Sequence, residues 1–215
     1  MAEMDVIESD GVISVVRLDD LSSAIGLVEA LVEGGLRAIE FTFTNRDAAT
    51  SIQETSRELD DRALIGAGSV LDPETARTAI LAGARFVVTP TLNLRTIELC
   101  RRYGVPIVVG AFTPTEILTA WEAGASLVKV FPASVGGPSY LKDVLGPLPQ
   151  VKLVPTGGVT LENAGDFIRA GAAAVALGSN LVDARTVASR NWATLTRRAE
   201  SLLAAVTKAR TPTPI

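Results

Sequence analysis

A short pattern recurs along the chain: the end of an amphipathic helix, then glycine, then a few residues and a compact apolar run. It appears as LVEGGLRAIEFTF, ILAGARFVVTP, CRRYGVPIVVGAF, WEAGASLVKVFPA and IRAGAAAVALGS. Glycine at this place is typical of the left-handed residue that ends a helix. The apolar runs lack clean alternation with polar residues, as expected for parallel strands covered on both faces. The pattern therefore predicts a parallel sheet whose strands are separated by helices.

Eight apolar runs of this kind occur, and they are GVISVVRL, AIEFTF, ALIGAGSV, FVVTP, PIVVGAF, LVKVFPA, KLVPTGG and AVALGS. One even series of eight strands favours a (β/α)8 TIM barrel over a doubly wound open sheet, which is the structural alternative. We expect a single domain over 1–215, because the length suits one barrel and no linker interrupts it. A short leading helix is expected within 1–10 and a frayed tail over 209–215.

Composition excludes several kinds of chemistry. Histidine is absent, which rules out Ser-His-Asp catalysis, Cys-His catalysis and histidine-bound metals within one chain. The single cysteine, Cys100, cannot form an internal disulfide, so a reducing cytoplasm is the expected location and a small core residue its expected role. The net charge of -4 gives no support for a nucleic-acid or anionic-membrane partner, and no apolar run reaches membrane-spanning length.

The carboxyl ends of the strands are where a barrel of this kind carries its active site. One amine, one carboxylate, one guanidinium and several hydroxyls are predicted to face one small volume there. The residues at these ends are Arg17, Glu40, Thr42, Thr44, Ser69, Thr89, Pro90, Thr91, Thr113, Lys129, Thr156, Gly157, Gly158, Gly178 and Ser179.

Lys129 is the most unusual of these residues, because it lies inside an apolar strand and lysine is rarely buried. Burial lowers the pKa of an amine, and a neutral amine attacks ketones to form an imine. Glu40 is the only acidic residue inside a predicted strand and could move protons, while Arg17 could clamp a carboxylate. Three plainer interpretations stay open: a structural Lys129–Glu40 pair, a Glu40 charge at a strand or subunit edge, and a salt bridge from Arg17 to Asp19 or Asp20.

Glycine-rich turns follow the last two strands, as PTGGV and LGSNL. In (β/α)8 barrels these two places often bind phosphate through backbone N–H groups. Gly157 and Gly158 would let the backbone approach an anion closely, and Ser179 could add a hydroxyl. Tight turns without a ligand are the alternative. The similar stretch GAGSV, after the third strand, is expected to line the pocket through Ser69.

Long segments of the chain resemble a known family in their order and spacing. They include EGGLRAIEFTF, IGAGSVLDPETA, FTPTEILTAWEAGASLVKVFPA and GPSYLKDVLGPLPQVKLVPTGGV, and the likeness runs from VVRL to LGSNLV. The family is that of 2-keto-3-deoxy-6-phosphogluconate (KDPG) aldolase, also called the KDPG/KHG aldolases. The resemblance implies a class I aldolase without metal or other cofactor, a homotrimer of (β/α)8 barrels. It implies cleavage of KDPG to pyruvate and glyceraldehyde 3-phosphate, and many members also cleave 4-hydroxy-2-oxoglutarate, which gives pyruvate and glyoxylate.

By the same resemblance, Lys129 is expected to form the imine and Glu40 to be the general acid/base. The implied pyruvate end consists of Arg17, Thr44, Ser69, Thr89, Pro90 and Phe131, and the implied phosphate end of Thr156, Gly157, Gly158, Gly178 and Ser179.

The chain also departs from the family pattern. Ala133 and Ser134 follow the Lys-x-Phe-Pro motif, where many members have a small residue and then Glu. Thr44 stands where some members have Arg, so the carboxylate clamp is expected to rest more on Arg17. An aldolase for the galactonate epimer stays open, as do a phosphosugar isomerase or synthase and a non-catalytic phosphosugar-binding barrel.

Overall fold

Eight parallel strands form the centre of the computed structural model, which describes residues 3–211. They pair in the order β7-β6-β5-β4-β3-β2-β1-β8, and a bridge between Thr156 and Ala176 brings β7 against β8. The sheet therefore curves into a nearly closed barrel, which confirms the (β/α)8 prediction and rules out the open sheet. The strands are β1 Val12–Val16, β2 Ala38–Thr42, β3 Leu64–Gly68, β4 Phe86–Val88, β5 Ile107–Ala111, β6 Leu127–Val130, β7 Leu153–Pro155 and β8 Val175–Leu177.

Helices alternate with these strands, and the glycines of the recurring pattern end them as predicted. Gly83 and Gly124, for example, have φ angles of +103° and +98°, which glycine adopts far more readily than other residues. No helix within residues 3–211 is long and apolar enough to cross a membrane. The helices are α1 Glu3–Asp10, α2 Ala24–Glu33, α3 Ala48–Leu59, α4 Pro73–Leu81, α5 Leu94–Arg102, α6 Pro114–Glu122, α7 Gly137–Leu145, α8 Ala164–Arg169, α9 Ala184–Ala188 and α10 Trp192–Arg210.

The apolar core has two parts, one inside the barrel and one between the strands and the helices. Alternate residues of each strand point inward, so that Ile13 and Val15 of β1 lie in the inner part. Ile7 of α1 is fully buried in the same inner cluster. The predicted leading helix therefore covers the amino end of the barrel and leaves the carboxyl end open.

The carboxyl-terminal helix continues further than the sequence suggested. α10 includes Ala209 and Arg210. The Arg210 guanidinium donates to the backbone oxygens of Glu8 at 2.7 Å, Ser9 at 2.7 Å and Ala173 at 2.9 Å. The prediction of a frayed tail from residue 209 is therefore wrong at these two positions, because Arg210 joins α10 to the amino end of the barrel. Thr211 ends the helix, and the rest of that prediction, 212–215, lies outside the described residues.

Candidate active site

A cavity of about 220 Å³ opens at the carboxyl ends of β1, β6, β7 and β8. Eight of its twelve lining residues belong to the predicted site, and the four that were not predicted are Val15, Val159, Ala176 and Asn180. The inward orientation of the three apolar residues depends on barrel geometry, but Asn180 could have been suspected, since it directly follows Ser179 in LGSNL. The predicted members of the lining are Arg17, Lys129, Phe131, Thr156, Gly157, Gly158, Gly178 and Ser179.

Lys129 points into this cavity from β6, where it lies between Gly110 of β5 and Val154 of β7. Only 4% of the residue is exposed, and its Nζ lies 5.2 Å from the centre of the Phe131 ring. Burial lowers the pKa of the amine; the negative charge of Glu40 opposes this shift and the positive charge of Arg17 reinforces it. The fold thus favours the neutral, nucleophilic form of this amine.

Glu40 lies inside the barrel on β2, paired with Val15 of β1 and Gly66 of β3, and is 1% exposed. It is therefore not at a strand edge. Within residues 3–211, neither carboxyl oxygen has a hydrogen-bond partner. Burial raises the pKa of Glu40, against the opposing charges of Lys129 and Arg17. A buried carboxyl group without fixed partners can take up and release protons, and Lys129 is not bonded to it as a structural ion pair would be.

Arg17 follows β1 and donates from Nη2 to the hydroxyl of Ser69 at 3.3 Å. Among residues 3–211 it forms no salt bridge with Asp19 or Asp20, and Asp20 instead accepts a hydrogen bond from the backbone of Ser22. Ser69 itself does not line the cavity. It contacts the cavity indirectly, through its hydrogen bond with Arg17, which does line the cavity.

Thr44, Thr89 and Pro90 lie at the strand ends but outside the cavity lining. Thr44 bonds to the hydroxyl of Thr42 at 2.9 Å and borders a neighbouring, more open depression that also touches Arg17. The Thr89 hydroxyl donates to Thr91 O at 2.8 Å and accepts from the backbone N–H of Gly110 at 3.0 Å. The backbone of Pro90 packs against Gly110, where a Cβ would collide with it. Thr89 and Pro90 are therefore held against Gly110 of β5, beside the cavity rather than in its lining.

The far end of the cavity is built from the loops after β7 and β8 and contains no cationic side chain. Gly157 and Gly158 have φ angles of +84° and +80°, a conformation in which successive peptide groups can surround an anion. A Cβ on Gly158 would lie 2.5 Å from the Cβ of Ser134, so the loop also packs tightly against the turn after β6.

A reactive cysteine and a metal ion are two other kinds of catalytic group that a (β/α)8 enzyme can use. Cys100 is buried in α5, as predicted, and burial raises the pKa of its thiol to about 12. It is therefore protonated at neutral pH and unsuited to the acid/base chemistry of a cysteine-dependent isomerase. Within residues 3–211, no group of three or more His, Cys, Asp or Glu side chains is arranged to hold a metal ion.

A buried lysine amine with a lowered pKa, enclosed with a buried carboxyl group in one (β/α)8 barrel, is the arrangement required by aldolases that work through an imine. The family model "KDPG and KHG aldolase" matches residues 4–198. The chain therefore belongs to the KDPG and KHG aldolase family and is a carbon–carbon lyase, which confirms the resemblance seen in the sequence.

Known proteins agree with this assignment. The chain is 38% identical to the 2-dehydro-3-deoxy-phosphogluconate aldolase of Treponema pallidum, over 93% of this chain and 95% of that one. It is 36% identical to the 2-dehydro-3-deoxy-6-phosphogalactonate aldolase of Escherichia coli, over 79% and 83%. KDPG aldolase of Legionella pneumophila, solved with pyruvate captured as a covalent carbinolamine intermediate, superposes with a TM-score of 0.87 at 29% identity, over 94% and 98%.

Proposed function

We propose that this enzyme cleaves KDPG to pyruvate and glyceraldehyde 3-phosphate, with Lys129 as the residue that forms the imine. The observation that carries this proposal is the enclosure of Lys129 and Glu40 in one barrel, with the pKa of the amine lowered and that of the carboxyl group raised. The relative in T. pallidum, whose name gives the gluconate substrate, supports the choice of sugar acid.

The proposed reaction begins when the neutral Lys129 amine attacks C2 of the keto acid and forms a carbinolamine. Glu40, whose pKa is raised by burial, acts here in its protonated form: it donates a proton to the departing hydroxyl, and loss of water leaves a protonated imine. The Glu40 carboxylate then takes the proton of the C4 hydroxyl. The C3–C4 bond breaks, its electron pair moves toward the imine nitrogen, and the aldehyde leaves.

Glu40 returns this proton to C3 of the enamine, which gives the imine of pyruvate. Water then hydrolyses the imine, releases pyruvate and restores the Lys129 amine and the protonated Glu40. Arg17 lies close enough to this centre to pair with the substrate carboxylate, and its bond to Ser69 holds the guanidinium at the mouth of the cavity. We assign Thr44, Thr89, Pro90 and Phe131 to the same pyruvate end. Phe131 lines the cavity, and the other three lie beside it at the strand ends.

At the other end of the cavity, we assign the phosphate to Gly157, Gly158, Gly178 and Ser179, with Thr156 beside them. Because no cationic side chain lines this end, binding would come from backbone N–H groups and the Ser179 hydroxyl. Cleavage of 4-hydroxy-2-oxoglutarate, which has no phosphate, is proposed as a second activity that uses only the lysine end.

An aldolase for the galactonate epimer is the second candidate, because the E. coli relative with that name is 36% identical, almost as similar as the gluconate enzyme of T. pallidum. The two substrates differ at the C4 hydroxyl, next to the bond that breaks. Values of kcat/KM for the two phosphorylated epimers, measured on the same preparation, decide between them.

The imine assignment is tested by trapping. The enzyme is incubated with pyruvate and borohydride, and the modified peptide is identified by mass spectrometry. The chain offers four lysines, and Lys142, Lys152 and Lys208 are exposed on or near the outer helices. We expect a label on Lys129 alone and none in Lys129→Arg, because a guanidinium stays protonated. Labelling of another lysine, or no adduct at all, would refute the assignment.

Three further expectations belong to this proposal: a homotrimer, a cytoplasmic location, and activity without a metal or other cofactor. The first is tested by light scattering at several concentrations, where a constant mass of about one chain would contradict it. The last is tested by exhaustive treatment with a chelator, after which turnover should be unchanged.

A further inference from the structure

Two asparagine side chains hold the loop that follows β7. Asn163 donates from Nδ2 to the carbonyl oxygen of Gly158 at 3.0 Å. Asn180, which lies in the loop after β8, donates from Nδ2 to the next carbonyl, that of Val159, at 2.9 Å. Two successive carbonyl groups of the loop are therefore bound to side-chain amides from two different parts of the chain.

Asn163 is itself fixed by a reciprocal pair of bonds. Its Oδ1 accepts the backbone N–H of Thr160 at 2.7 Å, and its backbone N–H donates to the Thr160 hydroxyl at 3.3 Å. Asn180 lines the cavity directly and reaches across the gap between β7 and β8, where Thr156 and Ala176 form only an isolated bridge. Asn163 thus binds the loop after β7 from the adjoining segment of the chain, and Asn180 joins that loop to the loop after β8.

The bond from Asn163 fixes the orientation of the Gly158–Val159 peptide group relative to the cavity. In a trans peptide the C=O and the N–H point in opposite directions, so a carbonyl bound to Asn163 turns the Val159 N–H away from that side. Gly157 and Gly158 alone would not fix this arrangement, because glycine adopts many backbone conformations at similar energy. A rotated peptide would present a carbonyl oxygen to the cavity and repel an anion.

We propose that Asn163 and Asn180 are positioning residues for phosphate, which hold the Gly157–Val159 loop with its N–H groups available to the anion. This inference rests on the proposed function, since it needs a phosphate at this end of the cavity. Neither residue touches the reacting carbon atoms. Asn163 acts through the Gly158–Val159 peptide group, whose N–H points away from the bound carbonyl. Asn180 acts by fixing the position of the loop at Val159 O, since the N–H of that peptide, from Thr160, is already bound by Asn163. The loop is accordingly pre-organised before the substrate arrives, and little ordering is left for the binding step.

Two variants test the proposal. Asn163→Asp keeps an oxygen for the Thr160 N–H but removes the donor to Gly158, and Asn180→Ala removes the donor to Val159. We expect each to raise the KM for KDPG and the inhibition constant of inorganic phosphate about tenfold, as for one lost hydrogen bond in a binding site. The kcat for KDPG, the KM for 4-hydroxy-2-oxoglutarate and the yield of trapped pyruvate should stay within about threefold of wild type.

Asn93→Ala is the matched control. Asn93 also donates to a loop carbonyl, Leu71 O at 3.0 Å, and accepts the backbone N–H groups of Arg95 and Thr96, but it does not line the cavity. If the test variants weaken both substrates equally, or no more than Asn93→Ala does, the positioning role is wrong. If wild type itself is not inhibited by phosphate and does not prefer the phosphorylated substrate, the phosphate site of the proposed function fails, and the inference fails with it.

Discussion

The Glu40 carboxyl group lies directly against the α-carbon of Gly68. A Cβ added to Gly68 would be 2.5 Å from Oε1 and 2.7 Å from Cδ of Glu40. Both residues face the inside of the barrel, Glu40 on β2 and Gly68 at the end of β3. The missing side chain at position 68 therefore fixes where the carboxyl group can lie, in a core that is otherwise closely packed.

Gly68→Ala should displace this carboxyl group and reduce kcat/KM by about 10²-fold, since an error of about 1 Å in a catalytic group has an effect of that size. The backbone of Gly68 has no positive φ, so alanine adds volume without backbone strain. Steady-state kinetics with KDPG measure the effect, and near-ultraviolet circular dichroism checks that the barrel has folded.

Gly146→Ala provides the control for this experiment. Gly146 ends α7, and a Cβ there would make only an ordinary contact, 3.5 Å from Asp143 O. Full activity in Gly68→Ala, with the control also active, would show that the precise position of Glu40 does not matter and would count against its role as the proton carrier.

The reactivity of Lys129 should respond in opposite directions to its two charged neighbours. The positive charge of Arg17 lowers the pKa of the lysine, so Arg17→Met should raise it and move the acidic limb of imine formation to higher pH. The negative charge of Glu40 raises that pKa, so Glu40→Gln should move the limb to lower pH. The rate of trapping with cyanoborohydride is measured across pH.

Acetone is the appropriate probe for this experiment, because it has no carboxylate for Arg17 to bind. With acetone, the two variants differ from wild type in the electrostatic field at the Lys129 amine and not in their affinity for pyruvate. Shifts in the same direction, or no shift in either variant, would contradict the electrostatic coupling of the three side chains.

Gly178→Val should raise the KM for KDPG strongly and change the KM for 4-hydroxy-2-oxoglutarate much less. A Cβ at Gly178 would have its nearest neighbours at 3.8 Å and 3.9 Å, both in Val15, so the fold tolerates a side chain that reduces the space for phosphate. Gly178→Ala, with less added volume, should give a smaller change in the same direction. Equal losses for both substrates would mean that this loop does not bind phosphate.

The corresponding change at Gly158 would be harder to interpret. Its φ of +80° disfavours any other residue, and a Cβ would collide with Ser134. A loss of activity in Gly158→Val would therefore combine misfolding of the loop with obstruction of the anion, which is why position 178 gives the clearer test.

The strands and most helix ends could be predicted from sequence because they depend on local features. Glycines such as Gly83 and Gly124 end helices through their own backbone conformation, and the apolar runs between them have the length of strands. The buried position of Lys129 could be predicted for the same reason, since valines flank it in the chain.

Contacts between distant strands could not be predicted in this way. The proximity of Gly68 to Glu40 depends on the register of β2 against β3, and the bond between Arg17 and Ser69 joins residues that are 52 positions apart. The family resemblance places Thr89 at the pyruvate end, but it does not show that the Thr89 hydroxyl accepts the backbone N–H of Gly110, on the neighbouring strand. Such pairings arise only when the barrel closes.

The gap between β7 and β8 has a consequence for the molecule as a whole. Every other neighbouring pair of strands is joined by a ladder, but here Thr156 and Ala176 meet at one bridge. In the proposed complex, the phosphate is bound by loops from both sides of this gap, so the ligand completes the circumference of the barrel. A ligand that binds only the closed form of the barrel stabilises that form by linkage. The affinity for substrate and the resistance of the barrel to local opening at this gap then have a common origin. In that complex, the seam between β7 and β8 is expected to open less often than in the free enzyme.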